Sequence, residues 1–156
     1  NKVQAKQTAV AAGVPVLVSS DATTDIDALV AAADDIGFPV FAKAVAGGGG
    51  RGMRRVESPN QLRPALEAAM REAKTAFGDD RMFIEQAVVR PRHIEVQILA
   101  DGSGETIHLF ERDCSLQRRH QKVIEIAPAQ HLDQAVREQM LEHAVAFARQ
   151  VRYVNA

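Results

Sequence analysis

One cysteine, no tryptophan and a single tyrosine in 156 residues rule out several kinds of protein before any motif is read. With Cys114 alone, neither an internal disulfide nor a multi-cysteine metal site can form. That fits a reducing compartment, and we expect the cytoplasm, or the mitochondrial matrix in a eukaryote. No apolar run approaches the roughly 18 residues of a membrane span, and no signal peptide's apolar stretch opens the chain. No charge excess exists either: 19 basic residues meet 20 acidic ones, a formal net charge of -1. Aromatics make up only 4%, so neither field nor stacking surface points to nucleic acid, and no membrane partner is expected. Internal repeats and low-complexity linkers are absent too.

What remains is a chain that is 46% hydrophobic and 25% charged, long enough to bury a core. It opens at Asn1 without a methionine and stops at Ala156 without a closing element, so both ends are expected to be cuts. Ala, Gln and Lys from Lys2 to Ala12 predict a helix, with Gly13 as its stop. Val14–Val18 is β-branched and reads as a strand. A second helix is predicted after Thr24, with Asp27 as its capping-box partner, the stripe Ile26, Leu29, Val30, Ala33, Ile36, and Gly37 at its end. Strands follow at 39–43 and 53–56. Ser58, Pro59 and Gln61 mark a third helix, in which Pro64 is awkward and would favour a start nearer Asn60. From Met82 the period becomes two, giving strands at 82–88 and 93–100, a turn at 101–104 and a returning strand at 106–110. A last strand over 123–127 and a helix over 133–151 complete one α+β unit with mostly antiparallel strands.

The first chemical signal is KAVAGGGGRGM, residues 43–53. Four consecutive glycines, Gly47–Gly50, leave backbone amides open to an anion, and glycine reaches the positive φ that turns them inward. Lys43 before them and Arg51 after them add positive charge suited to nucleotide phosphates. A bare run of glycines is equally a flexible hairpin turn; the flanking lysine and Arg-Gly-Met favour phosphate. Neither G-x-x-x-x-G-K-[ST] nor a helix-opening G-x-G-x-x-G is present. The second signal is ERDCSLQRRHQK, residues 111–122. Arg112, Arg118, Arg119, His120 and Lys122 fall within eleven residues, read here as a loop between strands where a small anion, bicarbonate or phosphate, could be held. A solvated charged loop is the plain alternative. His93 starts the polar face shared with Glu95 and Gln97, where a structural histidine is the commoner outcome. Glu85 and Gln86 end an apolar strand that Ala87 and Val88 continue, an edge able to offer backbone groups to an adenine. Cys114 lacks a nucleophile's surroundings and reads as packing.

These segments, with PRHIEVQ at 91–97, resemble the biotin carboxylase family of ATP-grasp enzymes over practically the whole chain. The 110–122 segment is the most specific part; the glycine loop is shared more widely among ATP-grasp proteins. IHLF at 107–110 and YVNA at 153–156 are most similar to the pyruvate carboxylase branch, with acyl-CoA carboxylase subunits second. The RRHQK segment argues against a carbamoyl-phosphate synthetase-type domain. The resemblance implies that Lys2 and Lys43 contact ATP phosphates and that Gly49 and Gly50 belong to a closing lid. It implies that Glu85, Gln86, Ala87 and Val88 hold the adenine, that His93 lies at the ribose side, and that His120 lines the nucleotide pocket. Lys122 would help hold bicarbonate, the one catalytic residue implied. Residues 1–12 would lead in, 13–88 form the lid subdomain, and 89–156 begin the C-terminal ATP-grasp subdomain. ATP, Mg2+ with ligands beyond this chain, and biotin as carboxyl acceptor are the implied cofactors. Bicarbonate and a biotinyl domain are the implied partners, in an oligomeric full-length protein. A non-catalytic module that binds nucleotide or a partner is the reading from another class.

Overall fold

The structure, a computed structural model, describes residues 2–47, 52–118 and 121–156, with only the backbone of Lys2. Its elements run α1 (Lys2–Ala11), α2 (Ile26–Ile36), β1 (Val40–Ala44), β2 (Met53–Val56), α3 (Pro59–Phe77), β3 (Met82–Gln86), β4 (Ile94–Ala100), β5 (Thr106–Arg118), β6 (Gln121–Ile126) and α4 (Gln134–Gln150). The fold is α+β with all strand pairs antiparallel, as expected. The chain divides into two compact units, the first comprising residues 2–5 with Leu17–Val89 and the second Lys6–Val16 with Arg90–Ala156. Among the described residues no helix is long and apolar enough to cross a membrane.

In the first unit α2 starts one residue later than a Thr24 cap implies. Asp25 is the cap, its Oδ1 accepting from the backbone N–H groups of Asp27 at 2.9 Å and Ala28 at 3.2 Å, so Asp27 is a recipient and not a capping-box partner. Gly37 closes the helix as predicted, donating its N–H to the Ala33 carbonyl at 2.9 Å. The sheet order is β2-β1-β3. Alternate residues Val40, Ala42 and Ala44 on β1, with Met82 and Ile84 on β3 and Val56 on β2, are buried with Leu29 and Ala33 of α2 and Leu62, Leu66, Ala69 and Ala73 of α3. The opposite face of β1 carries Phe41 and Lys43, half-buried.

Pro59 begins α3, so the Pro64 interruption does not push the start to Asn60. Ser58 makes no side-chain capping bond; the Gln61 side chain instead accepts from the N–H of Glu57 at 3.2 Å. Proline in a helix interior costs about 3 kcal/mol. Fully burying one leucine returns roughly 1.5–3 kcal/mol, and Leu62 and Leu66 lie on either side of Pro64. Val14–Val18 is not a strand. Pro15 lacks the N–H a ladder needs, and pairing begins only at Ser19 and Thr23, which bridge to Glu85 and Met82 along the outer edge of β3. Between β1 and β2, Gly52 sits at φ +68°, and a β-carbon there would lie 2.8 Å from that of Ala44.

The second unit orders its strands β4-β5-β6 against α4. Of the basic 112–122 stretch, expected as a loop, the described residues are strand: β5 runs on to Arg118 and β6 begins at Gln121. Register slips between Val96 and Ile98, where Leu109 and Phe110 oppose the lone Gln97 and Phe110 takes φ +59°. That bulge and a second irregularity beyond Asp113 break the period-two burial, so Thr106, Glu111 and Cys114 are the buried residues of β5. Asp133 caps α4, accepting from Ala135 N–H at 2.9 Å and Val136 N–H at 3.1 Å. The predicted stripe of Val136, Met140, Ala144, Ala148 and Val151 lines an apolar groove with Ile94, Val96 and Ile98.

Candidate functional site

Within the first unit the strand alternation that buries Ala42 and Ala44 turns Lys43 to the opposite face of the sheet, where it is partly buried. Its ammonium forms an ion pair with the Glu85 carboxylate and lies 5.5 Å from the centre of the Phe41 ring. Gln86 ends β3 and is exposed; Ala87 is buried and Val88 exposed. The backbone N–H groups of Gln86 and Ala87 already donate to the carbonyls of Val18 at 2.9 Å and Pro39 at 3.1 Å. Among the described residues, Val88 is the next position whose backbone N–H remains for a base approaching this segment. Gly49, Gly50 and Arg51 lie outside the described residues, as do Arg119, His120 and the Lys2 side chain. Phe41 was missed at the sequence level; its signal was the same two-residue alternation that exposes Lys43.

The second unit brings Lys122 to Glu95. Glu95 pairs with Lys122 through Oε2 and with Arg112 through Oε1 at 2.6 Å, and His93 Nε2 lies 3.8 Å from its Oε2. Arg112 also pairs with Glu125. The anion-loop reading is thus corrected in its geometry: Arg112 and Lys122 project from paired strands and are balanced by two carboxylates. Arg118 ends β5 exposed and in register with Gln121, apart from this cluster. His93, just ahead of β4, is anchored by its backbone: its N–H donates to Ser115 Oγ at 2.9 Å and its carbonyl accepts from the Cys114 N–H at 2.8 Å.

Lys122 donating to Glu95 raises the lysine and lowers the carboxyl from their ordinary values. The lysine's share of stability is present below its ordinary value of 10.5 and is lost as pH rises through the raised one. The carboxylate's share is present above the ordinary carboxylate range and is lost as pH falls through the lowered one. Across neutral pH Lys122 is therefore a fixed cation and not a proton acceptor. Ser115 and then Arg92 hold the neighbouring Asp113 carboxyl down at about 2. Burial, then the Glu95 carboxylate, push the Cys114 thiol up. Native Cys114 is expected to alkylate with iodoacetamide at pH 8 on the order of a hundredfold more slowly than in the urea-unfolded chain; comparable rates would refute its burial.

Glu95, Cys114 and Glu125 form the one group of three metal-ligating side chains found among the described residues. Both carboxylates already accept from cations and the third donor is a soft thiol, a poor match for hard Mg2+, which takes oxygen ligands. Magnesium therefore enters no step attributed to these residues.

A lysine on the face opposite the core, ahead of a glycine run in sequence, and a second lysine held as a cation in the other unit suit phosphate and small-anion chemistry. Residues 1–156 match the family described as carbamoyl-phosphate synthase L chain, ATP binding domain. The chain belongs to this family. As a member of this ATP-binding family it is 48% identical to the pyruvate carboxylase of Bacillus subtilis, the match covering all of this chain and 14% of that one. It superposes on the biotin carboxylase–β-γ-ATP complex from Campylobacter jejuni with TM-score 0.93 and 49% identity, over 98% of this chain and 34% of that one. On the biotin carboxylase domain of Hydrogenobacter thermophilus 2-oxoglutarate carboxylase, in complex with MgADP, ADP and bicarbonate, the TM-score is 0.91 at 41% identity, over 99% of this chain and 34% of that one. The ATP-grasp, biotin carboxylase resemblance read from residues 43–53, 91–97 and 110–122 is upheld, and the chain spans about a third or less of these relatives.

Proposed function

We propose that this chain is the nucleotide-gripping part of the biotin carboxylase component of a biotin-dependent carboxylase, pyruvate carboxylase-like. The observation that carries the reading is Lys43, presented on the sheet face opposite the core, just ahead of the glycine run in sequence. In the proposed reaction ATP phosphorylates bicarbonate to carboxyphosphate, releasing ADP, and carboxyphosphate then carboxylates N1 of the biotin ureido ring, with loss of inorganic phosphate and of the N1 proton. Phosphoryl transfer depends on positioning and charge neutralisation more than on covalent help. Lys2, Lys43, Gly49 and Gly50 would meet the phosphates, Glu85–Val88 and His93 the nucleoside, His120 the same pocket, and Lys122 bicarbonate. A cation that stays charged throughout neutral pH suits that last role. The relatives crystallised with β-γ-ATP, or with MgADP and bicarbonate, support the substrate classes.

Residues 13–88 would act as the ATP-grasp lid and 89–156 as the start of the C-terminal subdomain. Magnesium ligands and the biotinyl domain would come from outside these residues, in an oligomeric protein of the cytoplasm or mitochondrial matrix. An acyl-CoA carboxylase subunit is the alternative within the same chemistry. The 156-residue chain alone is expected to bind nucleotide without turning over. At about 100 times Kd, ATP should stabilise it by ~2.7 kcal/mol in a thermal-shift titration, and Lys43→Ala should remove most of the shift. No ATP response in the unmutated chain favours an inert module. A biotin- and bicarbonate-dependent ATPase rate would overturn the expected inactivity.

A further inference from the structure

β1 is the middle strand of its sheet, so the face opposite the core is flanked on both sides. Lys43 stands in register with Met53 and Phe83, and Phe41 with Arg55 and Glu85. Side chains of registered antiparallel partners share a face. Two rows result, Met53–Lys43–Phe83 and Arg55–Phe41–Glu85. The Lys43 ammonium crosses the rows diagonally to the Glu85 carboxylate and lies 5.5 Å from the centre of the Phe41 ring. Their side chains are only 20% and 13% exposed, so this is not a screened surface pair of negligible consequence.

A carboxylate beside a phosphate-binding lysine makes no sense as charge alone, because it lowers the positive potential the anion would meet. It makes sense as geometry. A lysine side chain loses about 1.5–2 kcal/mol of rotamer freedom when fixed. Here a carboxylate and a ring face already define the ammonium's place before any ligand arrives. An ammonium has three donors, and one spent on Glu85 leaves others for phosphate oxygens. Protein kinases use the same logic in their lysine–glutamate pair.

We propose that Glu85 is a positioning residue whose side chain holds the Lys43 ammonium against Phe41, ready for the polyphosphate of a nucleotide. The inference rests on the nucleotide reading above, and assigns to the side chain of Glu85 a task separate from any contact its segment makes with the base.

Calorimetric titration of the 156-residue chain with adenosine, ADP and ATP tests it, using Glu85→Gln, Lys43→Ala and the double variant. Glu85→Gln should weaken ADP and ATP by about tenfold, the order set by the rotamer freedom released, and leave adenosine unchanged. In the Lys43→Ala background the same substitution should have no further effect on ATP. Should Glu85→Gln not fold, Glu85→Asp, which keeps the charge and shortens the reach, is expected to show the same phosphate-selective loss. Tighter ATP binding in Glu85→Gln would overturn the proposal, as would an equal loss for adenosine or additive losses in the double variant. Failure of the unmutated chain to bind ATP at all would overturn the nucleotide reading, and this inference with it. Normal ATP binding by Lys43→Ala would overturn the phosphate role of Lys43 and the positioning role of Glu85 with it, and leave nucleotide binding itself standing.

Discussion

Glu111→Ala is expected to destabilise the second unit by about 3–5 kcal/mol, the cost of breaking a buried ion pair from one side. The Glu111 side chain is fully buried, and its Oε1 accepts from Arg137 Nε at 2.9 Å and from the Ala129 N–H at 3.2 Å. Arg137 in turn donates from Nη2 to the Ala129 carbonyl at 2.9 Å. One carboxylate thus ties β5 to the turn ahead of α4 and to α4 itself. Among the described residues its other oxygen, Oε2, meets no donor, so the buried charge leans on Arg137. Removing it strands a guanidinium and a buried backbone N–H together, each costly without a partner. Urea unfolding followed by circular dichroism measures the loss, and a value below about 1 kcal/mol would contradict this account. Replacing both partners, Glu111→Leu with Arg137→Met, should recover most of the stability, because the desolvation cost disappears with the charges.

The other large effect belongs to the first unit. Leu66→Ala should cost about 2–5 kcal/mol, lowering the melting temperature by on the order of 10 °C. Leu66 is wholly buried, two residues beyond Pro64, in a helix whose Ser58 cap makes no side-chain bond. With Pro64 supplying no N–H, the first half of α3 depends on the burial of Leu62 and Leu66 against the sheet. Calorimetry of the variant checks this, with the exposed neighbour Glu67→Ala as a control expected within about 0.5 kcal/mol of the unmutated chain. Equal effects at both positions would show that helix propensity, not burial, carries α3.

Much of the fold was legible because its signals are local. Gly37 and the stripe through Leu29 and Ala33 marked α2, and the run over 39–43 marked β1. The errors arose where a partner distant in sequence decides. Val14–Val18 has strand composition, yet Ser19 and Thr23 are the residues that reach the edge of β3. Residues 112–122 look like a charged loop because alternation fails there, and it fails because Phe110 sits in a bulge that shifts the register. Glu111 and Cys114 are buried for the same reason, which no two-residue period could reveal.

For the candidate site the division is similar. By itself the sequence determined the family, through the glycine run after Lys43 and the 110–122 segment, because those residue types at that spacing are set by what they must hold. That Lys43 lies opposite the buried face of its strand follows from strand alternation once the burial of Val40, Ala42 and Ala44 is seen. Only the tertiary structure decided which carboxylate meets each lysine: Glu85 lies 42 positions from Lys43, and Glu95 lies 27 from Lys122. Pairings at that range depend on strand order and register, which long-range packing selects and no local pattern encodes.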